Sequence, residues 1–182
     1  MGQAHDLSQK ALSLEPSDFY GRRLLASVYG LRRQHDLALI ESERLIAINP
    51  NDAGSFAQQG MALTWLGRPD GAILALERAL RFDPDMKPDI FWHLGLAYYL
   101  NERYADSAAV LQRNIGRKTE PFWDYLLLAA AYAQMDRKEE AARAAETVRQ
   151  IDPRYKRVMR FDQFENSADV ARVAEGLRKA GL

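Results

Sequence analysis

The sequence contains no cysteine, only three histidines, and 25 basic against 25 acidic side chains, so it has no formal net charge. Each shortage excludes something. Without thiols there is no disulfide, no thiolate nucleophile and no cysteine-based zinc site. His5, His35 and His93 are far apart in the chain, and none has a second histidine one helical turn away. The paired-histidine zinc arrangement is therefore missing, and each reads as a surface or groove side chain. The charge balance gives no attraction toward nucleic acid or an anionic membrane surface. The longest apolar stretch, Phe122 to Ala133, has 12 residues and holds Asp124, short of the ~20 that a membrane span needs. No apolar signal-peptide core follows Met1, and Asp6 stands where a myristoylation signal requires Ser or Thr. The expected setting is cytoplasmic, with neither membrane nor nucleic acid as partner. Glycine-rich phosphate loops and a serine nucleophile elbow are also missing, and adjacent acids such as Glu139 and Glu140 point different ways around a helix. With no convergent polar set, the sequence predicts no catalytic residue, no metal and no cofactor, and so not an enzyme.

What the chain does have is a repeat. Pro16, Pro50 and Pro84 stand 34 residues apart (50 − 16 and 84 − 50), a spacing that belongs to helix–turn–helix solenoids. A proline lacks the amide hydrogen and clashes with the preceding turn, so one at each unit's end stops the second helix at the same place. With the proline counted as position 32, the repeats run 19–52, 53–86, 88–121 and 122–155, the third starting one residue late. Pro153 restores the rung in the fourth; Thr119 holds it in the third, with Pro121 close behind. Small residues recur at position 8 (Ala26, Gly60, Gly95, Ala129) and at position 20 (Ala38, Ala72, Ser107, Ala141). A larger side chain there would wedge the two helices apart, and overpacking costs ~1–3 kcal/mol. Breakers or polar residues separate the helices, as in Gly67–Arg68–Pro69–Asp70, Asn101–Glu102–Arg103 and Asp136–Arg137–Lys138.

This pattern resembles the tetratricopeptide repeat. The third unit carries Phe91, Leu94, Gly95 and Tyr98; the fourth carries Tyr125, Leu128, Ala129, Tyr132, Ala141 and Pro153; the second carries Phe56, Gly60, Ala72, Ala79 and Pro84. Arg22 at position 4, Gln59 at position 7 and Asn114 at position 27 depart from the pattern without introducing a helix breaker. The resemblance implies an all-α, right-handed solenoid of four antiparallel helix pairs. Residues 1–18 form a half repeat before it, with Ala4, Ala11 and Pro16 in register, and 156–182 form a tail with a capping helix. The half repeat reads either as an N-terminal cap or as the end of a repeat whose first helix lies upstream.

In the tail, Arg154, Lys156, Arg157 and Arg160 form a short basic stretch that reads as solvated surface. Ser167 is placed to cap a helix with Asp169 in its first turn, a stripe of Val170, Val173 and Leu177, and Gly181 at its end. The helix most simply caps the solenoid. Its close, Glu175–Gly–Leu–Arg–Lys–Ala–Gly–Leu182, is similar to the C-terminal end of repeat-bearing bacterial class III adenylate/guanylate cyclases. That similarity implies a regulatory or oligomerising tail of a signalling enzyme as the alternative to a free-standing adaptor. No cyclase domain lies in this chain, so no catalytic residue carries over.

In the family, positions 2, 5, 9, 12 and 13 of each first helix line a concave groove. The resemblance places Tyr20, Arg23, Leu31, Met61, Thr64 and Trp65 there, followed by Asp89, Trp92, Leu96, Tyr99, Leu100, Trp123 and Leu126. That is an aromatic, mostly apolar trough, expected to bind a protein or peptide ligand, with Trp and Tyr as anchors. The same tryptophans would alternatively bury against the neighbouring repeat or the C-terminal helix. A clamp for chaperone carboxylate tails does not fit, because of the residues Arg23, Ser27, Gln58, Asp89 and His93 only Arg23 has the right character. Self-association through the exposed first helix is a further expectation.

Overall fold

A computed structural model of the chain describes residues 2–117, 121–155 and 163–182. Thr119, Lys156, Arg157 and Arg160, singled out above, lie outside the described residues. The described residues are all helical or in short turns, and they form two compact units that meet in sequence at Met86 and Lys87. The first unit holds α1 (Gly2–Leu14), α2 (Phe19–Leu31), α3 (His35–Ile48), α4 (Ala53–Trp65) and α5 (Pro69–Phe82). The second holds α6 (Pro88–Leu100), α7 (Tyr104–Ile115), α8 (Phe122–Gln134), α9 (Lys138–Ile151) and α10 (Ser167–Lys179). Within the first unit each helix packs on the next in sequence, and from α6 to α9 the second unit does the same.

The turn inside each pair is the same device four times. The first helix ends in a residue with left-handed backbone at position 15: Arg33 (φ 60°), Gly67 (66°), Glu102 (61°) and Asp136 (58°). The next amide then reaches back to a carbonyl of the last turn, from Gln34 to Tyr29, Arg68 to Leu63, Arg103 to Tyr98 and Arg137 to Tyr132, each at 2.9 Å. This is the Schellman closure of a helix C-terminus. The donor residue is at once the N-cap of the second helix, so no residue is left over in the turn. In the third and fourth repeats the turn arginine also lies over the position-11 tyrosine, Arg103 at 4.5 Å from the Tyr98 ring and Arg137 at 4.6 Å from Tyr132. Each then pairs with an acid three residues on, Asp106 and Glu140.

Second helices end as the proline ladder requires. Asn49, Asp83 and Asp152, each just before its proline, adopt extended backbone (ψ 94°, 95° and 102°), as a residue preceding proline must. Asp52 then caps α4, its carboxylate accepting from the Ser55 amide at 2.6 Å and the Ser55 hydroxyl at 2.7 Å. α7 ends differently, on Gly116 in right-handed backbone.

The helix pairs interlock through size. A methyl group on Gly60 would collide with Leu76, and one on Gly95 would stand 2.8 Å from two atoms of Leu111. Position 8 is therefore small because position 24 of the facing helix is large. Where position 8 is Ala26 or Ala129, position 24 is Ser42 or Ala145, both fully buried. Two of the departures from the repeat pattern are absorbed as polar pairs. Arg22 donates to Glu41 and to the Pro16 carbonyl, both at 2.6 Å. Asn114 donates to Asp124 at 2.6 Å, with both residues fully buried. Removing one partner of such a buried hydrogen bond costs ~1–3 kcal/mol, and more where the group left behind is charged.

Left-handed backbone is strained for a residue with a Cβ, by roughly 1–2 kcal/mol. Arg33→Gly is therefore expected to raise stability by about 0.5–1 kcal/mol, after the extra chain entropy of glycine. Gly67→Val is expected to lower it by about 1–2 kcal/mol. Denaturant melts of the two variants beside wild type check both signs; equal midpoints would refute the strain argument.

Candidate interaction surfaces

In the first unit, α2 presents an apolar stripe. Tyr20 is 78% exposed and Leu31 67% exposed, with Leu24 and Ser27 between them also facing solvent. The spacing of 20, 24, 27 and 31 is one helical face. Leu24 stands at position 6 and was missed by a register limited to positions 2, 5, 9, 12 and 13; the four-residue interval from Tyr20 was the available signal. Arg23 is committed to the α2–α4 joint. Its guanidinium lies 4.7 Å from the Phe19 ring centroid and donates to Asp52 at 2.6 Å. Burial tends to raise the Asp52 carboxyl, but the bonds from Ser55 and Arg23 outweigh it and hold the group below the usual carboxylate range. Gln58 completes the joint, donating to the Arg23 carbonyl at 3.1 Å and to the Ser27 hydroxyl at 2.7 Å. Met61 and Trp65 are half-buried, and the Trp65 ring lies tilted against His35, 6.3 Å between centroids.

The second unit is arranged otherwise. Of the residues expected to line a trough there, Leu96, Tyr99 and Leu126 are buried, Tyr99 completely. For Tyr99 the cause is α10, which packs on α8 and reaches α6. The helix expected to close the solenoid thus lies on the first-helix face. The Tyr99 hydroxyl donates to the Arg172 carbonyl at 3.1 Å, and Arg172 donates back to the Leu100 carbonyl at 2.6 Å and pairs with Glu102 at 3.0 Å. Gly176 makes the close approach possible, since a Cβ there would overlap the Tyr99 hydroxyl and stand 3.0 Å from the Ala130 Cβ. A lone glycine inside an otherwise amphipathic helix was the sequence signal for this contact. Lys179 donates to Gln134 at 2.8 Å and Arg149 to the Gly181 carbonyl at 2.7 Å. The helix is capped by Asn166, one residue before the expected Ser167, through a bond from the Ala168 amide at 2.9 Å.

The tryptophans divide. Trp92 is half-buried and donates to the Trp123 carbonyl at 3.2 Å, which joins α6 to α8. Trp123 is 41% exposed, its ring edge-on to Phe122. His35 and His93, read from the sequence as surface or groove side chains, are buried, and each sits beside a tryptophan ring. Among the described residues no group of three or more His, Asp or Glu is placed to hold a metal ion, and no helix is long and apolar enough to cross a membrane.

Burial pushes the Tyr99 hydroxyl up to about 12, against the opposing influence of Gln134 and Arg172. Its folded value lies above its unfolded value. The stability carried by the neutral phenol is therefore fully present below about pH 10 and lost as pH rises from there to about 12, by roughly 2–3 kcal/mol. Tyr99→Phe should flatten that part of the curve in denaturant melts at stepped pH; Tyr104, also raised by burial, contributes the same background to both proteins. Parallel curves for the two proteins would overturn the assignment.

No protein-family model matches the chain. Human tetratricopeptide repeat protein 13 is 31% identical over 104 residues, which is 54% of this chain but 12% of that protein, so the chain spans a small part of this relative's length. Solved structures of MamA (18% identity, TM-score 0.71, covering 82% of this chain and 87% of that one) are similar in fold. So is YrrB, described as a tetratricopeptide repeat protein with an unusual peptide-binding site (19%, 0.70, 95% and 90%). A third is a thermophilic repeat protein of Thermus thermophilus, at 21% identity and TM-score 0.65 over 95% of this chain and 88% of that one. Helix pairs, turn and register together give this chain the tetratricopeptide repeat fold.

Proposed function

We propose that the protein is a non-catalytic scaffold that binds a protein or peptide partner through the inner faces of its first helices. The observation that carries this reading is the apolar stripe on α2. Three large side chains, Tyr20, Leu24 and Leu31, share one face of a folded helix and are left in water. An exposed cluster of that kind, with an aromatic at one end, is what an interface anchor provides. Arg23, Met61 and Trp65 would border the site in the first unit, and Trp92 and Trp123 would border a corresponding one in the second. Similarity to YrrB, itself described as having a peptide-binding site, supports the same reading by analogy of fold.

Affinity capture from cell extract, with wild type beside a Tyr20→Ser/Leu31→Ser double variant, tests it. Both positions are exposed, so the melting temperature is expected to be nearly unchanged. Recovery of specific partners should fall at least about tenfold, the effect of roughly 1.4 kcal/mol in binding. Equal recovery by the two proteins, or none by either, would sink the proposal.

A further inference from the structure

We infer that α10 is an internal ligand of the α6–α8 face, held in cis, and that a partner helix of the same pattern but without its buried carboxylate displaces it. The inference deepens the scaffold reading and rests on it. Three observations bear on it. The first is placement. From α6 to α9 each helix packs on its chain neighbour, but α10 turns instead to α8 and α6. There it meets Tyr99, Leu100, Ala130 and Gln134, which stand at positions 12, 13, 9 and 13 of their repeats. Those are the positions that face a ligand in the register argued above.

The second observation is how it docks. Val173, Gly176, Leu177 and Ala180 are buried, one face of the helix by spacing. Two of its polar links involve backbone, Arg172 to the Leu100 carbonyl and the Tyr99 hydroxyl to the Arg172 carbonyl, beside the side-chain links to Glu102 and Gln134. Any helix with an arginine in that place can repeat the two backbone links. A covered face thus displays the chemistry of its occupant.

The third is a misfit on the same face. Asp169 precedes Val173 by one turn and is buried, and its Oδ2 has no hydrogen-bond partner among the described residues. A carboxylate in that condition opposes docking, and burial raises its proton affinity, with Arg172 only partly offsetting this. The docked helix is therefore a weaker ligand than the face could hold. The displacing partner is an amphipathic helix with aliphatic residues matching Val173 and Leu177 and a small residue matching Gly176. It carries an arginine matching Arg172 and an uncharged residue matching Asp169.

Hydrogen exchange of the wild-type chain comes first. Amides of α10 are expected to exchange at least about 100-fold faster than those of α8, as a locally opening segment does. Next, a fluorescent peptide of residues 163–182 carrying Asp169→Leu is titrated into the full chain, into Gly176→Leu and into Arg172→Ala. The wild type should bind it, and at least one variant should bind about tenfold tighter because its own helix is loosened. The peptide with native Asp169 should bind each protein more weakly. Exchange of α10 in step with α8, or no binding of the Asp169→Leu peptide to Arg172→Ala, would overturn the inference even if Gly176→Leu failed to fold. If that happened while Tyr20→Ser/Leu31→Ser still abolished capture, the scaffold reading would stand and only the internal ligand would fall.

Discussion

The close approach of the two helices in each pair is the constraint on which the rest depends. Gly60 admits Leu76 and Gly95 admits Leu111 with no room for a methyl group. That contact is dry and fully buried: Ala72, Leu76 and Ala79 in the first unit, and Leu111 in the second, have no exposed surface. Dense burial of this sort is the main favourable term in folding. It also sets the angular register of every other side chain. Once position 8 faces position 24, the stripe of Tyr20, Leu24 and Leu31 has no place in the pair and is left outside.

Polar interactions serve the joints between these contacts. Arg23, Asp52, Ser55 and Gln58 form one connected set at the start of α4, where a helix N-terminus needs acceptors and two first helices lie side by side. Arg22 and Asn114, paired with Glu41 and Asp124, occupy places where the repeat pattern expects a large and a small residue. Each such exchange places a hydrogen-bonded polar pair in the interior and makes the repeat individual.

The fold was legible because its strongest constraints are local. Prolines mark where second helices stop, small residues mark where helices touch, and both can be read from spacing alone. The candidate site was legible in part. Tyr20 and Leu31, named by their register, are exposed, but Leu24, exposed beside them, lies outside the family's groove positions. Trp65 settles on His35, a residue of another helix 30 positions away by number (65 − 35). The placement of α10 was legible only through one residue. An amphipathic stripe of Val173 and Leu177 fits the end of a solenoid as well as its inner face, and only Gly176 distinguishes the two by demanding a close neighbour.

The shared residue of the intra-pair turn has a consequence for how such a chain can change. Gln34, Arg68, Arg103 and Arg137 each close one helix and open the next. One residue inserted there would separate the amide that closes the first helix from the residue that opens the second. Length variation is thus confined to the joints between pairs. The chain bears this out, since the extra residue that delays the third repeat falls between Pro84 and Pro88. Divergence can lengthen the spacers or exchange whole units, but the three-residue turn must be inherited intact.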